Sequence, residues 1–196
     1  YKLVAEGRGR EALVQAENLA RDYPNFQLAQ LAVGDLLMSR TRPIRHLGDV
    51  APEPDSARSL QAAATLTELR TESRQRVDAQ RSRPPENSVP AQFLELSPRS
   101  RHAIAVDASR SRLYLFENAP KRLQLVADYY ASVGKLGIEK EVEGDQRTPL
   151  GVYFITSRLD PATLKDFYGA GALPINYPNP LDQSRCKTGS GIWLHG

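Results

Sequence analysis

The residues best suited to catalysis lie near the C-terminal end of the sequence. His195 closes an alternating apolar run that starts at Gly191, and the single cysteine, Cys186, precedes it by nine residues. An imidazole near a thiol is typical of nucleophilic catalysis, in which the base takes the thiol proton before sulfur attacks a carbonyl carbon. Cys186, however, lies in a polar segment without a helix start that would favour its thiolate. We therefore interpret Cys186 as a surface thiol, and His195, taken by itself, as either a strand histidine or a catalytic base.

Other catalytic arrangements are weak or missing. The three histidines (His46, His102 and His195) are dispersed, with no cysteine partner at zinc-ligand spacing, so we predict no metal site. Ser132-Val-Gly-Lys135 and Lys187-Thr-Gly189 fit two motifs of the penicillin-binding serine enzymes. That chemistry needs the serine at the start of a helix, and the glycines around this serine predict none. No phosphate-binding glycine loop occurs either. An imidazole can deprotonate a thiol near pH 7 without a metal, so we predict no cofactor.

Two apolar patterns divide the chain into a helical part and a strand-rich part. A period near 3.6 residues in 10–21 and again in 28–37 predicts a helical hairpin. A third helix is predicted from an N-cap at Asp55 or Ser56 to about Ser82. Beyond residue 101 the period changes to two, which is typical of strands. The predicted strands are 102–107, 112–116, 123–133, 151–156 and 191–195.

The predicted fold class is therefore α+β. A helical domain at 1–83 is followed by a Pro- and Ser-rich linker at 84–101 and a mostly β domain at 102–196. The chain begins without a methionine or a signal segment, so we expect a processed or excised form.

Composition excludes several classes of protein. With 40% hydrophobic and 25% charged residues among 196, the sequence is globular rather than disordered or collagen-like. No stretch reaches the roughly 18 consecutive apolar residues of a membrane span. The net charge is +3, and the basic cluster at 70–83 contains acidic residues and no aromatic residue that could stack on a base. We therefore predict neither a membrane span nor nucleic-acid binding.

A specific series of motifs begins at residue 102. The motifs are Ile104-Ala-Val-Asp107, Ser132-Val-Gly134, Gly144-Asp-Gln-Arg-Thr-Pro-Leu-Gly-Val-Tyr153, Asn176-Tyr-Pro178, Thr188-Gly-Ser-Gly191 and Gly191-Ile-Trp-Leu-His-Gly196. In this order they resemble the L,D-transpeptidase (YkuD-type) catalytic domain family, and within it the YafK-like branch. The resemblance covers residues 102–196, while the helical half carries no catalytic motif.

The resemblance implies a sandwich of small mixed sheets and a cysteine enzyme that shapes the cell wall. In the family, a thiolate attacks the carbonyl between the diaminopimelyl residue and the terminal D-alanine of a peptidoglycan stem tetrapeptide, and the acyl group passes to an amine. His195 would be the general base and acid, and the main-chain carbonyl of Gly196 would fix its tautomer. Peptidoglycan stem peptides are then the expected partners, and the periplasm or cell envelope the expected location.

Three further residues are candidates for substrate binding. Trp193 alternates onto the same strand face as His195. Tyr177, with Tyr168, lies in a Gly- and Pro-rich stretch that could close over a cleft. The guanidinium of Arg147 could hold a stem carboxylate bidentately.

One motif of the family does not occur in the sequence. The family's nucleophile lies in a Ser-x-Gly-Cys motif after the His-Gly pair, and this chain ends at Gly196. We therefore expect the parent protein to be the enzyme and this shortened chain to be inactive. Three alternatives stay open: an L,D-acting peptidoglycan hydrolase or amidase, a non-catalytic module that binds cell-wall peptide, and a helical adaptor whose residues 10–40 recruit a protein partner.

Overall fold

The computed structural model forms two compact units, Tyr1–Glu95 and Leu96–Gly196. It describes residues 1–49, 57–81, 84–85, 88–93, 95–120 and 122–196, with the side chains of 57–60 left aside. The described part of the first unit is helical, and the second unit contains two small sheets. This confirms the predicted α+β class. The limits of the linker at 84–101 stay a prediction.

The described residues of the N-terminal unit form four helices. They are α1 Lys2–Ala5, α2 Gly9–Asp22, α3 Gln27–Met38 and α4 Ala57–Arg81. The predicted hairpin is α2 with α3, and it buries Ala12, Leu13, Leu28 and Ala29. The predicted cap of the third helix at 55 or 56 and its end at 82 lie outside the described residues. None of the helices in the described ranges has the length and apolarity that crossing a membrane requires.

The turn at Leu47-Gly48 is held by both α3 and α4. The buried carboxylate of Asp35 in α3 accepts the N–H of Gly48 at 2.7 Å. From α4, Arg70 donates to the carbonyls of Leu47 at 2.7 Å and Gly48 at 2.9 Å. Gly48 has φ +67°, and a Cβ there would lie 2.2 Å from a methyl carbon of Leu66. Glycine is therefore favoured at position 48 for two reasons: the positive φ and the lack of space for a Cβ.

We predict that Gly48→Ala lowers the free energy of unfolding of the helical unit by about 1–3 kcal/mol, because the new methyl group meets Leu66 and the backbone is strained. Gly34→Ala is the matched control. Gly34 is an exposed residue inside α3 with open space around its Cα, so this change should stabilise by roughly 0.5–1 kcal/mol. Urea unfolding followed by helical circular dichroism measures both, and destabilisation by the control as well would refute the steric explanation.

The first sheet of the C-terminal unit is an antiparallel meander in the order β1-β2-β3. Its strands are β1 His102–Asp107, β2 Arg112–Ala119 and β3 Arg122–Tyr130. All three were predicted, although β2 extends beyond Phe116 to Ala119 and β3 ends at Tyr130 rather than Val133. The buried side chains of β2 alternate along the strand, at Arg112, Tyr114 and Phe116. One face of β2 is therefore buried.

The second sheet pairs β4 Ala172–Pro174 with β5 Trp193–His195 in antiparallel register. The predicted strand at 191–195 is confirmed for its last three residues. A short helix, α5 Pro180–Ser184, lies between the two strands and includes the first two residues of the polar segment 183–188 that we expected to be a loop. A capping box explains it, since Asn179 and Asp182 exchange side-chain and backbone hydrogen bonds.

The strand predicted at 151–156 is wrong. Residues 151–156 make one isolated β-bridge, between Ile155 and Ile175. The facing segment cannot continue a regular ladder, because Pro174 has no N–H and the side-chain oxygen of Asn176 accepts the N–H of Phe154 at 2.6 Å. The alternation of apolar residues was present, but the partner strand required for it was not.

Candidate active site

His195 is the last residue of β5 and lies opposite Ala172, which is buried. Its side chain is exposed, and its Nδ1 lies 3.3 Å from the main-chain carbonyl oxygen of Gly196. A carbonyl oxygen can only accept, so this contact is a hydrogen bond when Nδ1 carries the proton. In that tautomer the lone pair of Nε2 is available to a neighbouring acid. The strand end therefore presents the imidazole in the arrangement expected of a general base.

Two aromatic rings contact the imidazole, and a third ring packs on one of them. Tyr168 lies edge-on to His195 with ring centroids 5.1 Å apart, and it also packs on Trp193 at 5.2 Å. Phe167 lies 5.4 Å from the imidazole and is 73% exposed. The predicted residue Trp193 thus shares one aromatic neighbour, Tyr168, with His195. The sequence analysis did not place Phe167 at the site; its position in the turn before Gly169, next to Tyr168, was the available signal.

Asp145 organises the loop that precedes Thr148. Its carboxylate pairs with Lys140 at 2.7 Å and accepts backbone N–H groups from Glu141, Val142 and Arg147. The Lys140 ammonium is the main cause, and the backbone donors a further cause, of a pKa for Asp145 far below its usual range. A carboxylate held by so many donors fixes the backbone around it rather than moving protons.

We predict that Lys140→Met raises the pKa of Asp145 toward its ordinary value of 3.8, as measured by a carboxyl-carbon NMR titration. Because the folded pKa is depressed, Asp145 stabilises the fold above its unfolded pKa of about 4, and this contribution is lost as pH falls through the folded pKa. In Asp145→Asn, the free energy of unfolding should therefore fall less steeply below about pH 4 than it does in the native protein. An unchanged titration in Lys140→Met would refute the assigned cause.

Thr148 connects its own turn to the segment 131–137, and the structure of that segment excludes the serine-enzyme alternative. Thr148 accepts the N–H of Gly134 through its hydroxyl at 2.8 Å and donates its own N–H to the carbonyl of Gly137 at 2.9 Å. Residues 131–137 contain no helix, as predicted, so Ser132 and Lys135 do not lie one helical turn apart. The arrangement that penicillin-binding serine enzymes need is therefore missing from this segment.

Tyr177 is buried, with 6% of its surface exposed, and its hydroxyl donates to the carbonyl of Thr188 at 3.2 Å. Burial is the first cause of its raised pKa, and the Asp182 carboxylate is the second. Thr188 in turn donates to the carbonyl of Glu141 at 2.9 Å and accepts the N–H of Glu143 at 3.1 Å. Tyr177 thus braces the segment before β5 against the Asp145 loop, and its contact with substrate stays a prediction.

Arg147 and Cys186 are both exposed. One guanidinium nitrogen of Arg147 donates to the carbonyl of Ile138 at 2.9 Å, and the guanidinium has further donors that could meet a carboxylate. Cys186 follows the end of α5 with φ +57°, and its N–H donates to the carbonyl of Gln183 at 2.9 Å. The cysteine therefore closes a helix rather than preceding one. Within the described ranges, no three His, Cys, Asp or Glu side chains come together as a metal site.

Comparisons with known proteins give a family match and similar solved structures for the C-terminal half of the chain. Residues 101–196 match the family model for the L,D-transpeptidase catalytic domain (YkuD). A search of curated proteins gave no match. Among solved structures, Bd1075 of Bdellovibrio bacteriovorus is 37% identical over 49% of this chain and 32% of its own length, with a TM-score of 0.40.

A second similar structure is the helical cell shape determining protein Pgp2 from Campylobacter jejuni. It is 27% identical over 50% of this chain and 36% of its own length, with a TM-score of 0.42. The chain therefore spans about a third of the length of the solved structures that it matches.

Proposed function

Because residues 101–196 belong to the YkuD family of L,D-transpeptidase catalytic domains, we propose that the protein is a peptidoglycan L,D-transpeptidase with His195 as general base and acid. The contact between Nδ1 of His195 and the carbonyl of Gly196 carries the proposal. It directs the proton of the imidazole to Nδ1 and leaves Nε2 free, which is the state that acyl transfer needs at its first step. No cofactor enters the proposed reaction.

The proposed reaction has two halves. In the first, Nε2 of His195 takes the proton of the cysteine nucleophile, and the thiolate adds to the carbonyl between the diaminopimelyl residue and D-alanine. When the tetrahedral intermediate collapses, the C–N bond breaks and His195 returns the proton to the amine of the departing D-alanine. In the second half, an acceptor amine attacks the thioester and His195 takes its proton, which the leaving thiolate then recovers.

The surroundings of His195 suit a peptide substrate. The exposed ring of Phe167 and the half-buried ring of Trp193 offer apolar surface beside the imidazole. Arg147, whose guanidinium has donors beyond the one on Ile138, is our proposed cation for a carboxylate of the stem peptide. We also propose a location in the periplasm or cell envelope, because the proposed substrate, peptidoglycan, is found there.

The nucleophile is tested by intact-mass spectrometry of the gene product that contains residues 1–196, with and without a carbapenem as acylating probe. We expect one covalent adduct that survives in Cys186→Ala and is lost when the cysteine after the His-Gly pair is replaced. Loss of the adduct in Cys186→Ala would assign the nucleophile to Cys186 instead. Absence of any adduct would refute the enzyme and favour a module that binds cell-wall peptide.

The acceptor is tested by product analysis with stem tetrapeptide as the substrate. Transfer to an added amine should yield a cross-linked peptide and free D-alanine in equal amounts. Release of D-alanine with no cross-linked product would assign water as the acceptor and the protein to the L,D-acting hydrolases.

A further inference from the structure

The turn at 166–171 is fastened to the end of β5 through its backbone. The carbonyl of Tyr168 accepts the N–H of Gly196 and the N–H of Gly171, each at 3.4 Å. Gly169 has φ +60°, and a Cβ at this position would lie 3.1 Å from the carbonyl carbon of Gly196. The turn and the His-Gly pair are therefore in van der Waals contact without a side chain between them.

The side chain of Tyr168 contacts the same strand as well. Its ring packs on Trp193 with a 45° tilt and meets the imidazole of His195 edge to face at 78°. Residues 193 and 195 alternate onto one face of β5, so a single ring covers both. The hydroxyl of Tyr168 makes no hydrogen bond to any residue that the structure describes, which leaves the ring as the part of the side chain that acts.

We propose that Tyr168 is a positioning residue that holds both members of the contact between His195 and Gly196. Its carbonyl fixes the peptide of Gly196, which supplies the accepting oxygen, and its ring restricts rotation of the imidazole, which supplies Nδ1–H. An imidazole that turns freely loses this hydrogen bond and exchanges between both tautomers. The importance of the effect for catalysis rests on the proposed role of His195 as the base, whereas the effect on the tautomer does not.

The direct test is the tautomer of His195, read from two-bond proton–nitrogen NMR spectra of the gene product that contains residues 1–196. His195→Gln identifies the signals of this residue among those of the other histidines. We expect Nδ1–H with a bare Nε2 in the native chain and in Tyr168→Phe, which keeps the ring. We expect a mixture of both tautomers in Tyr168→Ala. Tyr129→Ala removes an aromatic side chain, 56% exposed, from β3 and should leave the spectrum of His195 unchanged.

Two results would overturn the proposal. One is a native tautomer in Tyr168→Ala, and the other is the same mixture in Tyr168→Phe as in Tyr168→Ala. If the alanine variant does not fold, Tyr168→Leu is measured instead, because it keeps apolar volume beside Trp193 and loses the flat edge that faces the imidazole. The leucine spectrum is read by the same criterion.

A kinetic test separates this proposal from the proposed function. With D-alanine release from stem tetrapeptide by the gene product that contains residues 1–196 as the assay, Tyr168→Ala should lower kcat by roughly 10- to 100-fold with little change in KM. Tyr168→Phe should restore the native kcat. If His195→Gln retains full activity, the proposed function fails while the NMR result still decides the role of Tyr168. If His195→Gln is inactive and Tyr168→Ala has native kcat, the positioning role fails by itself.

Discussion

In the gene product that contains residues 1–196, replacing His195 with glutamine is expected to lower the rate of D-alanine release from a stem tetrapeptide by about 10²- to 10⁴-fold. Glutamine preserves much of the size and polarity of the side chain and can still hydrogen-bond near the carbonyl of Gly196. It cannot take a proton from a thiol and return it to the departing amine. The loss should therefore appear in kcat as well as in kcat/KM, because proton transfer acts in the transition state.

The control for this experiment is His102→Gln. His102 is an exposed histidine at the start of β1, in the three-stranded sheet, and its replacement should leave the rate within the error of the assay. Circular dichroism of both variants shows whether the fold is kept. A native rate in a folded His195→Gln variant would contradict the assignment of the base, and it would leave the imidazole as an ordinary strand residue.

The largest loss of stability is expected from Asp128→Ala. Asp128 in β3 forms an ion pair with Arg112 in β2, and the two side chains are 19% and 3% exposed. Removing the carboxylate takes the ion-pair partner from a guanidinium that stays buried and dehydrated. Deleting one partner of a buried pair lowers the free energy of unfolding by about 3–5 kcal/mol. Trp193 is the single tryptophan and lies in the C-terminal unit, so urea unfolding followed by its fluorescence reports the stability of that unit.

Two companion variants test the physical explanation. Arg112→Met combined with Asp128→Leu should recover most of the lost free energy, because apolar side chains of similar size can replace a buried ion pair. Arg110→Ala removes an exposed ion pair with Asp107 between β1 and β2 and should change the stability by less than about 1 kcal/mol. A double variant as unstable as Asp128→Ala would contradict an electrostatic origin.

Sequence patterns alone determined the elements whose residues interact locally. The 3.6-residue period located α2 and α3, and alternation located β1 to β3, because an amphipathic face is dictated by residues a few positions apart. The resemblance to the family was likewise identified from short motifs and their order along the chain, among them the His195-Gly196 pair. The same local reasoning failed at 151–156, where Pro174 and Asn176 lie some twenty positions away and break the ladder that the alternation predicted.

Tertiary structure decided which residues surround His195. The ring of Tyr168 reaches the imidazole because Gly169 lets the turn approach Gly196, and no periodicity links residues 168 and 195. Packing also placed Tyr177 inside the domain, with its hydroxyl on Thr188, although its sequence context is the same as that of an exposed loop residue. The sequence therefore determined the chemistry available at His195, while long-range packing determined its orientation, because contacts between distant segments depend on the whole fold rather than on neighbouring residues.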